Sequence, residues 1–265
     1  MLISILVPIY NSEKYIEKMI TSINTQDDRN GFEVIFADGG SDDKTLSIIE
    51  EKSLFSYKIV NGPDKNMYDG LNKAAKLAAG KYLMFLNSDD VLSRSCVMKN
   101  VKLNLKSKRS DLVFCSDIEK VSFDGKKTKI YRYVPTSYKA LLISRHSTFL
   151  PHPGVIIPKN LLLDRFAFDV SLGAAADYDF CLRILKHCKV QRLPILTHTF
   201  IRRPDSLSHS ESFESSKALV FQKHNFTTNN IFIFLTFYFV WSRYKIMNYI
   251  LSLENFLAGG YKKIR

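Results

Sequence analysis

One tryptophan and four cysteines are all that the 265-residue chain carries of two scarce residue types. Cys96, Cys115, Cys181 and Cys188 form no Cys-x-x-Cys pair, and three of them lie in apolar or helical stretches, where a thiol acts as a small hydrophobe. This excludes a disulfide scaffold and a structural zinc site, and leads us to expect a reducing, cytoplasmic compartment. No apolar run is long enough to cross a bilayer: residues 231–241 (IFIFLTFYFVW) make a span of about 11, against roughly 20 needed. The N-terminus, MLISILVPIYN, has no cationic flank and no small-residue cleavage site, so it reads as a buried first strand and not a signal peptide. Glycine is missing from VPIYNSEKYIEK, where a nucleotidyltransferase would need a phosphate-cradling loop. RNP-like aromatic pairs, zinc-finger spacing and a helix-turn-helix signal are also lacking, which argues against a nucleic-acid-binding protein.

What the chain has in excess is positive charge, 38 Lys and Arg against 26 Asp and Glu, or +12. That balance favours an anionic partner: acidic headgroups, nucleic acid or a phosphorylated substrate. Hydrophobic residues make up 46% of the chain, enough for a sizeable core. Strand-like runs at residues 3–8, 32–37, 57–61 and 82–86 alternate with helical patterns, predicting an α/β sheet with three strand-to-helix turns on one edge. Tyr15, Ile16, Met19, Ile20 and Ile23 mark a first helix. Ser41 or Asp42 is expected to cap a second one bearing Leu46, Ile48 and Ile49. A third is expected over residues 68–79, stopped at Gly80. Further on we expect a strand at 112–115, a hairpin over 118–134 around Asp124-Gly125, and a helix over 178–188. Strands at 190–195 and 197–201 follow, then a serine-rich loop over 206–216. Residues 231–241, followed by Arg243, Lys245, Lys262, Lys263 and Arg265, suit either a membrane surface or a buried core element.

Carboxylates at the ends of predicted strands carry the chemistry. Asp38 ends the second strand in ADGGSDDKT, and Asp89 and Asp90 end the fourth in LNSDD. Adjacent carboxylates after a buried strand can hold Mg²⁺ or Mn²⁺ beside substrate phosphates, or can cap the next helix. In the order VPIYN (7–11), ADGGSDDKT (37–45), GKYLMFLNSDD (80–90), these segments resemble the family 2 glycosyltransferases, most of all those that make bacterial surface polysaccharides. The resemblance covers about residues 1–210. It departs from the pattern at Gly39-Gly40-Ser41, where many relatives have one glycine, and at Asn87, where many have aspartate.

The resemblance implies a GT-A fold, a Rossmann-like, mostly parallel mixed sheet flanked by helices, over residues 1–215, with an apolar and basic C-terminal extension over 216–265. It implies an inverting transfer from a UDP-sugar to a polyprenyl diphosphate-linked saccharide, as in O-antigen or capsule synthesis, at the inner face of the cytoplasmic membrane. Pro8 and Tyr10 would stand on the donor side, with Tyr10 near the base. Asp38 would accept from uracil, and Asp89 would reach ribose or metal. Asp69, with Asp64 in GPDKNMYDGLNKA, would approach the nucleotide or serve the dipole of a helix. Mn²⁺ or Mg²⁺ would be held by Asp89, Asp90 and His209, although a loop histidine is as readily a solvated one. Asp177 in LGAAADYDF, just before a helix, would be the base, with Asp179 its rival; Ala176 stands where the family usually has Glu. His152 and Arg202, with neighbouring Arg203, would lie toward the acceptor.

Overall fold

A computed structural model describes residues 1–106, 112–122, 128–133, 136–144, 150–202 and 211–226, together with 242, 245, 246 and 250. Among these, β1 (Ile3–Ile9), β2 (Phe32–Asp38), β3 (Tyr57–Asn61) and β4 (Tyr82–Phe85) form where the β-branched and aromatic runs predict. They pair in parallel, with Ile9, Asp38 and Asn61 level across three strands and Leu6 level with Phe85. Three helices return between them, α1 (Ile16–Asn24), α2 (Thr45–Lys52) and α3 (Met67–Leu77). The second half adds β5 (Val91–Leu92), α4 (Val97–Lys106), β6 (Val113–Ser122), β7 (Thr128–Tyr131) and α5 (Tyr138–Ser144). It continues through β8 (Val155–Pro158), a helical turn α6 (Lys159–Leu161), α7 (Ala176–His187), β9 (Val190–Arg202) and α8 (Glu211–Lys223). The sheet runs β3-β2-β1-β4-β8-β6-β9-β5, with β7 on β6, and is mixed: β8 is antiparallel to β4 and β6, and β9 is parallel to β6.

Side chains alternate across the sheet and bury both faces. Ile5, Val34 and Met84 pack with α1, α2 and α4. Leu6, Ile35 and Leu83 pack with α3 and α7. Pro8 is accommodated in this central strand because β4 has already left it: the last bond on that side runs from Leu86 N to Leu6 O at 3.0 Å.

Several expectations are corrected. Neither Ser41 nor Asp42 caps α2; Asp43 Oδ1 accepts from Thr45 N at 2.9 Å, and Ser41 turns back onto Asp38. The third helix stops at Leu77, before Gly80, whose role is close approach: a Cβ there would stand 2.5 Å from Ser4 N of β1. The strands expected at 190–195 and 197–201 are one, β9, whose register against β6 shifts between Ser116 and Ile118. The serine-rich stretch is not all loop, since α8 begins at Glu211 and runs through residue 215 to pack on the turn before α7. The hairpin tip Asp124-Gly125, residues 231–241, and Arg243, Lys262, Lys263 and Arg265 lie outside the described residues. Among the described residues no helix is long and apolar enough to cross a membrane.

Candidate active site

Ligands of open α/β sheets sit beyond the carboxyl ends of the strands. Here the loops after β1 and β2 are laced together at that edge. Asn11 takes a left-handed conformation (φ 45°), which asparagine tolerates. Its backbone N–H donates to Ser41 Oγ at 3.0 Å, and its Oδ1 accepts from Asp42 N at 3.0 Å. Ser12 N donates to Thr45 Oγ1 at 2.7 Å, and the Ser12 hydroxyl meets Ser88 Oγ at 2.9 Å, tying in the loop after β4. Together they border an open cleft of about 490 Å³, lined among others by Tyr10, Asn11, Ser12, Tyr15 and Ser88.

Tyr10 projects from the end of β1 and is 65% exposed, with its ring over Gly39; a large apolar surface left in water at a cleft is available to a flat ligand. Asp38, 3% exposed, accepts from Ser41 N and, at 2.6 Å, from Ser41 Oγ. Strand order therefore brings Tyr10, Asp38 and the loop after β4 together at one rim. Asp69 lies in the first turn of α3, where its Oδ2 accepts from Lys65 N at 3.2 Å and pairs with Lys73 at 3.1 Å; Asp64 meets the same ammonium at 2.6 Å. Both are engaged in an ion-pair cluster at the start of α3.

For a divalent cation the chain offers the half-buried Asp89 and the fully buried Asp90. Asp90 Oδ2 accepts from Asn87 Nδ2 at 2.9 Å and Oδ1 from Ile201 N at 3.4 Å. Two adjacent carboxylates are the kind of oxygen donor an oxygen-seeking ion takes. No three His, Cys, Asp or Glu gather among the described residues. His209 and Arg203 lie outside the described residues, as does the Arg202 side chain; β9 ends beside Asp90.

Asp177 and Asp179, two residues apart on α7, have opposite environments. Asp177 is in the first turn of the helix, inside it and not before it. It is half-buried, its Oδ1 is sealed from solvent without a hydrogen-bond partner, and burial raises its pKa to about 6. Asp179 is fully buried and accepts from Arg183 Nε at 2.7 Å and His224 Nε2 at 2.9 Å, with Lys223 Nζ at 3.2 Å. Burial would raise its pKa, but His224, Arg183 and Lys223 outweigh it and bring it down to about 2. Asp177 is thus a carboxylate with an empty coordination position, and Asp179 is a structural anchor for α8.

His152 is not at an open surface. It is 8% exposed and packs at 4.7 Å on Phe85 and 5.6 Å on Phe180 between ring centroids, and burial, with His198 alongside, lowers its pKa to about 3. Its Nε2 has no partner. His198, unnoticed in the sequence, is fully buried and lies 2.8 Å from the Phe85 carbonyl through Nε2. A carbonyl only accepts, so Nε2 carries the proton and Nδ1 accepts from Thr197 Oγ1 at 2.6 Å. The loop-joining roles of Asn11, Ser12 and Ser88 were not foreseen, because they link loops that sequence order separates by 30 and 76 positions.

Known proteins resemble this chain in sequence and in fold. A poly(ribitol-phosphate) beta-N-acetylglucosaminyltransferase, TarS, of Staphylococcus aureus is 27% identical over 203 residues, covering 73% of this chain and 34% of its own. An uncharacterised glycosyltransferase of Methanocaldococcus jannaschii is 28% identical over 191 residues, covering 69% and 64%. The chain thus spans about a third of the first relative's length and just under two thirds of the second's. The crystal structure of S. aureus TarS 1-349 in complex with UDP-GlcNAc superposes with a TM-score of 0.64 at 24% identity, over 89% of this chain and 70% of that one, which shows the GT-A fold. The pattern of glycosyl transferase family 2 runs from residue 4 to residue 170, and the chain belongs to that family.

Proposed function

We propose that the protein transfers a sugar from a UDP-sugar to a hydroxyl of a phosphate-bearing saccharide acceptor, with inversion at the anomeric carbon. The observation that carries this reading is Asp177: a half-buried carboxylate in the first turn of α7 with an unpartnered buried oxygen, whose pKa burial raises to about 6. At neutral pH it is ionised and able to accept a proton. The acceptor oxygen attacks the anomeric carbon as its proton passes to Asp177, and the bond from that carbon to the diphosphate breaks, releasing UDP. One displacement with one base inverts the centre.

Tyr10 covers the base, and Asp38, held in place by Ser41, accepts the imide N–H of uracil. Asp89 and Asp90 would hold Mn²⁺ or Mg²⁺, with His209 as a further ligand, and the ion would supply positive charge against the departing diphosphate. The acceptor we propose is a polyprenyl diphosphate-linked saccharide at the inner membrane face. The +12 net charge supports an anionic surface or acceptor. The names of two relatives, both poly(ribitol-phosphate) glycosyltransferases, make an anionic polymer the comparison to include. The test is UDP release from a panel of UDP-sugars with each acceptor, on the parent and Asp177→Asn. Turnover that Asp177→Asn reduces by about 10²-fold or more is expected; full turnover by the variant would overturn the base assignment.

A further inference from the structure

We infer that helix α3 is the gauge that sets the height of the base: Asn66, Tyr68 and Asn72 clasp the backbone leading into Asp177 and act as positioning residues for it. This rests on the reading of Asp177 above.

Residues 168–175 belong to no strand or α-helix. They form an extended stretch and a 3-10 turn (Val170–Ala175) broken at Gly173, where φ is 52°. Backbone groups in such a segment need partners from elsewhere, and whichever element supplies them dictates where the segment lies. Here α3 supplies them at three heights. Asn72 meets Phe168 with both ends of its amide, Nδ2 donating to the carbonyl at 2.9 Å and Oδ1 accepting from the N–H at 2.9 Å. Asn66 Oδ1 caps α3 by accepting from Tyr68 N at 3.1 Å and Asp69 N at 3.3 Å, while its Nδ2 donates to the Val170 carbonyl at 3.0 Å. One side chain therefore defines both where α3 begins and where the neighbouring segment passes. The Tyr68 hydroxyl, 3.4 Å from the Ala174 carbonyl, shares its one proton between that oxygen and the Asp177 carboxylate, whose charged form it favours, and its ring packs 5.2 Å from Phe168.

The segment is gripped from its other side by α8. Lys223 pairs with Asp169 at 2.6 Å, and a Cβ on Gly173 would lie 3.1 Å from Ser216 Oγ. Asp177 emerges three residues after the last backbone carbonyl that α3 contacts, on a helix whose Asp179 is pinned by His224. Since α3 is packed on β1 and β2, whose ends carry Tyr10 and Asp38, the clasp references the base to the same strands that hold the nucleotide edge. A displacement of about 1 Å between base and acceptor costs on the order of 10²-fold in rate.

The test compares the parent with Asn72→Asp and Asn66→Asp, which keep the acceptor oxygen and lose the donor, and with Tyr68→Phe. Asp is itself a good N-cap, so Asn66→Asp leaves α3 capped. We expect kcat to fall about 10- to 100-fold in the two Asp variants with the UDP-sugar KM within about 2-fold, and amide exchange over 168–177 to quicken. In Tyr68→Phe the carboxylate loses a hydrogen bond that favours its charged form. The acid limb of the pH–rate profile and the ¹³C titration of Asp177 should both move up. A parent that turns over normally beside variants with unchanged kcat, exchange and titration would overturn the clasp. A parent that transfers no sugar from any UDP-sugar would overturn the proposed reaction instead. The clasp would then stand or fall on the exchange and the titration, with unchanged values in the variants overturning it.

Discussion

Asp177→Asn should make the protein inactive and more stable at the same time. Burial raises the Asp177 pKa from 3.8 to about 6, so between these values the folded state binds more protons than the unfolded one, and stability falls as pH rises through that window. At about 1.4 kcal/mol per pKa unit, the gap of about 2 units corresponds to about 3 kcal/mol of destabilisation above pH 6, as an upper figure. Asparagine has nearly the same shape and no charge to desolvate. Its advantage over aspartate should be absent below about pH 3.8, roughly half developed near pH 5 and complete above pH 6. For a domain of this size, about 2–4 °C per kcal/mol puts the melting temperature of the variant several degrees above the parent's at pH 7.5. Thermal unfolding of both proteins in matched buffers from pH 4 to pH 8 reads this directly. A variant less stable than the parent at pH 7.5, or a difference that ignores pH, would show that Asp177 is a satisfied structural carboxylate and refute the reasoning.

The neighbouring Asp179→Asn should do the opposite. Its pKa lies near 2, so its contribution is present above about 3.8 and lost as pH falls toward 2; breaking its contacts with Arg183, Lys223 and His224 should cost about 3–5 kcal/mol at pH 7, read by urea unfolding. Tyr10→Ala should leave stability within about 0.5 kcal/mol, because the ring is 65% exposed, while raising the UDP-sugar KM about 5-fold or more through lost base stacking. Unchanged KM in steady-state assays would remove Tyr10 from the donor site. Gly80→Ala places a Cβ 2.5 Å from Ser4 N and 2.6 Å from Ile3 C, backbone atoms that cannot swing aside, so a large drop in the urea midpoint is expected.

The first four strands and three helices were legible because most of them bury a continuous face. Runs such as residues 32–37 and the helical spacing of Ile16, Met19, Ile20 and Ile23 record the core directly, and all four of those helix residues are buried. The elements that escaped are held by partners distant in sequence. β5 has two residues and exists only against β9, and α8 shows little amphipathic contrast among its serines and glutamates. Its placement comes from Lys223 and His224 reaching Asp169 and Asp179.

The same distinction separates the two aspartates of α7. At about 100° per residue, a spacing of two turns Asp179 roughly 200° away from Asp177, so their divergence is implied by sequence alone. Arg183 stands four residues beyond Asp179 and six beyond Asp177, so within one helical turn only Asp179 has a cationic partner. The contrast is deepened by α8, which lays Lys223 and His224 on the side of Asp179, and by α3, which brings the Tyr68 hydroxyl to Asp177. A carboxylate surrounded by cations keeps its negative charge at little cost and has low basicity. One that is buried with backbone N–H groups and a phenol but no cation has a higher pKa and greater basicity. The reactive character of Asp177 is therefore a property of the two helices packed around it, and a change in either should alter its pKa without touching the residue itself.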